Sequence, residues 1–408
     1  MDYNTKNNAP PLYANGGVAV ADPIPVPYDN LSQLRPPVAT AVPVSSFSVK
    51  QGGNTNGARS SLPSFDIEKL KRQGFTEGMA KSLEKNKESF PVRFWIIDNS
   101  GSMSIQDGHR IVETDNKVQF VNCSRWEEIV ETVSFHAHVS GELNAPTYFR
   151  LLNNPYNGCP SNFEVATNEH QGRGNDVLNA QSILSRTQPS GVTPLMEHVI
   201  TVQQEIGELA SVLRNDGQRA VFVIATDGLP TDRNGNCSSL EKSQFINALR
   251  TLEGLPIWLV IRLCTDDDDV VDFYNNIDNE LELSIDVLDD FEAEAKEVHE
   301  QNTWINYALP IHRMRELGFY DRTFDLIDER TLSKREVRDY CRVLFGEDAF
   351  DGCPDPSTNW DGFATFTSIL VNKEKKYYDP IRKKQRPLID IVNLNRTYND
   401  SGNCCVLM

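Results

Sequence analysis

The chain has 408 residues, more than one average domain, and a composition that is 39% hydrophobic and 24% charged, enough to bury a core over part of its length. A formal net charge of -18 excludes nucleic-acid binding through a global positive field and favours cationic partners or metal ions. The eight cysteines (Cys123, Cys159, Cys237, Cys264, Cys341, Cys353, Cys404 and Cys405) show no C-x-x-C spacing, which excludes a zinc ribbon or a small disulfide scaffold. The first residues lack the basic-then-apolar pattern of a signal peptide, and no apolar run approaches the roughly 20 residues that span a bilayer. A reducing, cytosolic compartment is therefore expected, in which the sequons at Asn122, Asn236 and Asn395 carry no glycan.

Residues 1–62 are rich in Pro, Asn, Ala, Val and Gly, with no helical or strand period, and are expected to be a disordered tail. Within it Pro10, Pro11 and Tyr13 have the form of a PPxY ligand for a WW domain, which would dock as a polyproline-II segment, or they are a chance match in a proline-rich stretch. Residues 63–90 switch to helical spacing with a Gly74-Phe75 turn. The pattern suits a helical arm packed on the next domain and is also loosely similar to two of the three helices of a ubiquitin-associated domain.

Residues 91–290 read as α/β. The run 92–98, VRFWIID, is nearly continuous in apolar residues and ends in a carboxylate, as a buried parallel strand does. Residues 109–113 and 117–121 predict a hairpin inserted after the first loop. Ser124 and Glu127 form a capping box for a helix over 124–139. Strands are expected at 147–153, 162–167, 220–228, 256–264 and 283–290, with helices at 176–186, 194–213 and 240–252. Six strands alternating with helices predict an α/β fold with a doubly wound, mostly parallel six-stranded sheet. Residues 291–395 predict a smaller α+β extension: helical patterns at 291–317 and 333–345, strand-like runs at 363–371 and 387–394.

The chain closes at 396–408 with a flexible polar lead and Cys405-Val406-Leu407-Met408, which fits a prenylation signal with Met favouring farnesyl, or is a coincidence of the terminus. One lipid gives only marginal membrane binding, so a second signal is expected: palmitate on Cys404, or the seven basic residues within 373–386 against an anionic cytoplasmic leaflet, unless those lysines are a solvated face.

Three loops carry the chemistry: Asp98, Ser100 and Ser102 after the first strand, Thr193 in a Gly-Val-Thr-Pro turn, and Asp227 in Asp-Gly after another buried strand. Loops at the carboxyl ends of strands in an open α/β sheet converge on one edge. Two carboxylates and three hydroxyls there offer hard oxygen ligands, suited to Mg²⁺ or to Mn²⁺ or Ca²⁺ rather than zinc or copper. Thr265 and Asp266–Asp269 sit on the same edge, as a second cation site, an acidic rim or a helix cap.

With D-x-S-x-S, a distant Thr and a distant Asp before Gly, residues 91–290 resemble the von Willebrand factor A (vWA) family and its metal-ion-dependent adhesion site. The resemblance implies that Ser100 and Ser102 hold the ion directly, that Asp98 and Asp227 hold it directly or through water, and that Thr193 engages or withdraws with the domain's state. It also implies a protein partner whose Glu or Asp completes the coordination. In cytosolic character the chain is similar to the copines, but no paired lipid-binding domains precede the motif and no RING spacing follows. The expected function is a non-enzymatic, cation-dependent scaffold or adaptor tethered to the cytoplasmic face of a membrane, with a link to ubiquitination or trafficking. The alternatives are an Mg²⁺-dependent phosphoryl-transfer enzyme using Asp98, disfavoured because residue 100 is Ser rather than Asp, and a structural membrane-tethered protein with a vestigial site.

Overall fold

A computed structural model describes residues 66–114, 117–167, 173–278 and 280–399. Pro10, Pro11 and Tyr13, expected to form a WW-type ligand, and Cys404 and Cys405, expected to carry lipid, lie outside the described residues.

Six strands form the central sheet: β1 (Val92–Ile97), β4 (Thr147–Leu151), β5 (Asn162–Val165), β6 (Ala220–Thr226), β7 (Ile257–Leu263) and β8 (Ile285–Leu288). Their spatial order is β5-β4-β1-β6-β7-β8, and every pairing is parallel except β4 with β5. The chain is thus an α/β protein on a mostly parallel sheet. Strands β1, β6 and β7 are buried along their full length, so their sequences carry no polar alternation.

Alternate residues of these strands serve two faces. Trp95, Ile97, Val221, Val223 and Ala225 pack with Trp126, Ile129, Val133 and Ala137 of α3 (Arg125–Leu143) and with Ala180 and Ile183 of α4 (Arg173–Arg186). Phe94, Ile96, Phe222 and Ile224 point the other way and are equally buried. Helix α5 (Leu195–Asn215) turns Val199, Val202, Ile206, Leu209 and Leu213 inward at helical spacing. Helix α6 (Ser239–Arg250) makes the crossover between β6 and β7. The Ser124–Glu127 capping box at the start of α3 is present, and the hairpin expected after the first loop is β2 (Gly108–Thr114) with β3 (Lys117–Cys123).

The helices α1 (Ile67–Arg72) and α2 (Glu77–Ser89) share one core with residues beyond 290, where α8 (Phe291–Gln301) and α10 (Arg322–Asp325) also contribute. Leu70, Phe75, Met79 and Leu83 pack with Trp304, Ile311, Met314, Tyr340 and Leu344. Contact with α11 (Lys334–Phe345) is backbone to backbone: a Cβ at Gly78 would lie 2.2 Å from the Gly346 amide nitrogen, so only glycine fits there.

Two elements correct the sequence reading. Residues 363–371, read as a strand from their Phe, Thr, Ile and Val content, lie within helix α12 (Trp360–Val371), and 387–394 yields helix α13 (Ile391–Tyr398) after a short bridge at Ile389. Asn359 caps α12 by accepting from the Gly362 amide, and Trp360, Phe363, Ala364, Thr367 and Val371 bury one helical face. The β content of this region is the hairpin β9 (Tyr377–Asp379) and β10 (Lys384–Arg386).

The extension is tied to the sheet by a buried ionic cluster. Glu316, fully buried at the end of α9 (Leu309–Glu316), accepts from Arg313 at 2.8 Å and meets His136 of α3 at 2.9 Å. His312 and Arg262 of β7 stand 3.3 and 3.4 Å away. Burial alone would raise the Glu316 carboxyl, but Arg313 and the two histidines together hold it well below the usual carboxylate range. Burial lowers His136 to about 4, so it is neutral near pH 7.

Candidate metal centre

The five oxygen-bearing residues singled out from the motif meet at the carboxyl edge of the sheet. Asp98 follows β1 directly, and its backbone amide still pairs with Ala225 of β6, so its position is fixed by the ladder. Ser100 opens a short 3-10 turn over Gly101–Ser104 that brings Ser102 back beside it. Asp227 follows β6, and the Thr193 segment is drawn in by paired backbone and hydroxyl bonds with Thr231. A Cβ at Gly228 would stand 3.8 Å from the Thr193 hydroxyl, which places that hydroxyl next to Asp227.

The hydrogen bonds orient the ligand atoms. Thr226 donates its hydroxyl to Asp98 Oδ2 at 2.7 Å, and the Ser100 amide donates to Asp98 Oδ1 at 2.8 Å. Ser102 Oγ donates to Asp227 Oδ1 at 2.9 Å, which commits its proton and leaves its lone pairs directed away from the carboxylate. Ser100 Oγ and Ser102 Oγ are hydrogen-bonded at 3.0 Å, and because the Ser102 proton is committed to Asp227, Ser100 is the donor. Adjacent ligands of an octahedral ion at 2.0–2.1 Å are separated by about 2.9–3.0 Å, whereas Ca²⁺ distances would require about 3.3–3.7 Å. The hydroxyl pair is held by its own hydrogen bond, and its spacing is also compatible with one edge of an Mg²⁺ octahedron.

Electrostatics point the same way. Asp98 is fully buried and Asp227 is 3% exposed. Burial, followed by the charge of Asp227, pushes Asp98 up to about 6, and burial raises Asp227 as well. Two buried carboxylates facing each other are a deficit that a cation relieves. The donor set thus fits a hard divalent ion, with Ser100, Ser102 and Thr193 offering neutral oxygens and Asp98 and Asp227 the charge.

Several residues of the centre carry no motif. Arg125, the first residue of α3, donates from one guanidinium nitrogen to Asp227 Oδ2 at 3.0 Å, and from two others to Asp107 at 2.7 and 2.6 Å. Hydrogen bonding to Asp107 holds the guanidinium charged, and the same bond lowers Asp107. Arg125 thereby cancels part of the charge of Asp227 and links the centre to the residues leading into β2. Asn99 and Asn153 exchange side-chain and backbone bonds at 2.9 and 2.8 Å, and Asn153 reaches on to the Val192 carbonyl at 2.8 Å, locking the first and second loops together. Gly191 sits at φ +90°, a left-handed conformation that strains any residue with a Cβ, and its α-carbon faces the Asn153 side chain. Tyr274 of α7 (Asp268–Asp278) donates to the Gly228 carbonyl at 2.9 Å. The one sequence signal among these is Thr226, adjacent to Asp227; Arg125 and Asn153 reach the centre only through tertiary structure.

The Thr265–Asp269 run serves α7 instead. The Asp267 side chain accepts from the Asp269 amide at 3.1 Å, so Asp267 caps the helix, while Thr265, two residues before it, accepts from the Asp267 amide. A separate acidic group, Glu294, Glu297 and Asp328, has ligand atoms within 4.8 Å of one another. Arg315 already bridges Glu294 and Asp328, so part of that charge is met internally.

No family model matches the chain. No curated protein matches it. Among solved structures the chain is similar to a point mutant of the PilB minor pilin from Streptococcus sanguinis, at 11% identity and a TM-score of 0.33. That match covers 49% of this chain and 57% of the pilin chain, so this chain spans little more than half of the pilin's length. A similarity of that size carries no argument about fold or function.

Proposed function

We propose that the chain is a divalent-cation-dependent protein-binding scaffold of the vWA type, with Ser100, Ser102 and Thr193 as neutral ligands and Asp98 and Asp227 as the charged ones. The observation that supports the reading is the convergence of Ser100, Ser102 and Thr193 hydroxyls on two buried carboxylates, Asp98 and Asp227, at one edge of the sheet. When bound, Mg²⁺ supplies Lewis acidity and an attraction for an anionic oxygen. Every other feature belongs to the chain. Thr226 and the Ser100 amide aim Asp98, Asp227 accepts the hydrogen bond of the Ser102 hydroxyl so that a lone pair of that oxygen can turn to a cation, and Arg125 offsets the charge of Asp227. With few net negative charges around it, the centre is left short of anionic ligands, and an acidic side chain of a partner protein supplies the missing one.

The adaptor reading extends to a lipid anchor at Cys405, with palmitate at Cys404 as a second signal, and to a WW-domain partner at Pro10, Pro11 and Tyr13. Among the described residues no helix is long and apolar enough to cross a membrane. The test is calorimetric titration of the full chain with Mg²⁺ and with Ca²⁺. One Mg²⁺ binds, more tightly than Ca²⁺, and Ser100→Ala/Ser102→Ala abolishes the heat. No Mg²⁺ binding by the wild-type chain overturns the reading.

A further inference from the structure

Against a net charge of -18, one part of the surface is cationic. Lys373, Lys375, Lys376, Lys383 and Lys384 are all exposed and cluster at the end of α12 and around the β9–β10 hairpin. The two arginines of the same segment are already committed: Arg382 pairs with Asp379, and Arg386 with Asp379 and Asp390. Among the described residues the five lysines form no ion pair, and only Lys375 has a further contact, over the ring of Tyr377 at 5.2 Å. The nearest acidic side chain in sequence, Glu374, is half-buried, and burial raises its carboxyl.

Two exposed aliphatic side chains flank this segment in sequence. Ile369 is 54% exposed near the end of α12, and Val392 is 68% exposed in the first turn of α13, the next helix after β10. We propose that this surface is a docking site for an anionic lipid bilayer: the lysines meet acidic headgroups, and Ile369 and Val392 enter the headgroup boundary. The chemistry favours lipid over nucleic acid. A single-strand binding surface needs exposed aromatic platforms for the bases, whereas here Tyr377 is buried and Tyr378 is half-buried, stacked near Phe120 at 6.3 Å. Compact lysine charges beside aliphatic side chains suit an anionic interface.

The patch also complements the lipid anchor of the preceding reading. Tyr398, at the end of α13, packs on Trp360 at the far end of α12, with ring centroids 5.2 Å apart. Helix α12 is 12 residues long, about 18 Å. The six residues that follow Asn399 and end at Cys405 extend at most about 20 Å, so a lipid on Cys405 and the lysines can engage one bilayer together. The proposal borrows the anchor for that cooperation only, and its test dispenses with the lipid.

The experiment is vesicle co-sedimentation of the full chain carrying Cys405→Ser, with phosphatidylcholine vesicles and with vesicles that also contain phosphatidylserine. Binding to the phosphatidylserine vesicles alone is expected, and it weakens sharply as salt rises from about 0.1 to about 0.5 M. Lys376→Gln/Lys383→Gln/Lys384→Gln removes three exposed charges and lowers partitioning by about a hundredfold, roughly fivefold per lysine. An unchanged urea midpoint and unchanged Mg²⁺ binding in that variant show that the fold and the metal centre are intact. Equal binding to both vesicle types, no binding to either, or no effect of the triple substitution overturns the proposal. So does lysine-dependent binding of a single-stranded oligonucleotide without vesicle binding. Because no lipid is attached in this assay, absence of prenylation in cells leaves its result standing.

Discussion

Asp98→Asn separates the cost of the metal centre from its use. Burial and the charge of Asp227 move the Asp98 carboxyl from its ordinary 3.8 to about 6. Because the folded-state value lies above the unfolded one, folding favours the protonated form. The penalty is absent below pH 4, grows as pH rises through 6 and is complete at pH 7. Its size is about 3 kcal/mol, at 1.36 kcal/mol for each unit of pKa. The side chain is fully buried, so solvent screening does not reduce it. An asparagine still accepts from the Ser100 amide through Oδ1, and the Thr226 hydroxyl, 3.3 Å from the Gly228 carbonyl, can turn to donate there while accepting from the new amide. Asp98→Asn is therefore expected to stabilise the metal-free protein by about 1–3 kcal/mol at pH 7, with the gain fading toward pH 4. Urea unfolding in EDTA measures this as a higher midpoint with an unchanged slope. Saturating Mg²⁺ then stabilises the wild type, by about 2.7 kcal/mol at a hundred times its Kd, and leaves the variant unmoved. A variant that is less stable than wild type in EDTA at pH 7 would refute the reasoning, because Asp98 would then be a structural acceptor rather than a repelled charge.

Mg²⁺ affinity should fall about tenfold between pH 7 and pH 5, as Asp98, with its value about 6, takes up the proton that competes with the ion. Calorimetry at the two pH values checks it, and a flat profile contradicts it. Arg125→Gln removes a like charge beside the site and frees Asp227 Oδ2, so Mg²⁺ should bind about five- to tenfold tighter, equivalent to about 1 kcal/mol. Weaker binding would show that Arg125 acts mainly by positioning Asp227. Glu316→Ala leaves Arg313 and Arg262 buried without their shared partner and should cost about 3–5 kcal/mol in urea unfolding, while a loss below about 1 kcal/mol would show that the cluster reorganises.

The parts of the fold legible in the sequence are those where one local signal suffices. Strands β1, β6 and β7 are continuous apolar runs because both faces are buried, and α3 announces itself by the Ser124–Glu127 box. Asp98 and Asp227 stand out because each follows such a strand. Helix α12 reads as a strand because its Phe, Thr, Ile and Val residues have strand propensity, while its helical period needs Trp360 and the Asn359 cap to be seen. Arg125 gives no signal, since its partners Asp107 and Asp227 are 18 and 102 residues away. The core shared by α1, α2 and the extension is equally hidden, because Gly78 meets Gly346 only in the folded chain.

On the proposed function, Asp98, Ser100, Ser102, Thr193 and Asp227 hold a cation through which a partner protein binds. The most direct measurement is a pull-down on the full chain with Mg²⁺, with EDTA, and with Asp98→Ala in Mg²⁺, read by mass spectrometry. A set of proteins retained in Mg²⁺ and lost both in EDTA and in the variant is the predicted result. The same proteins retained equally under all three conditions would contradict the account.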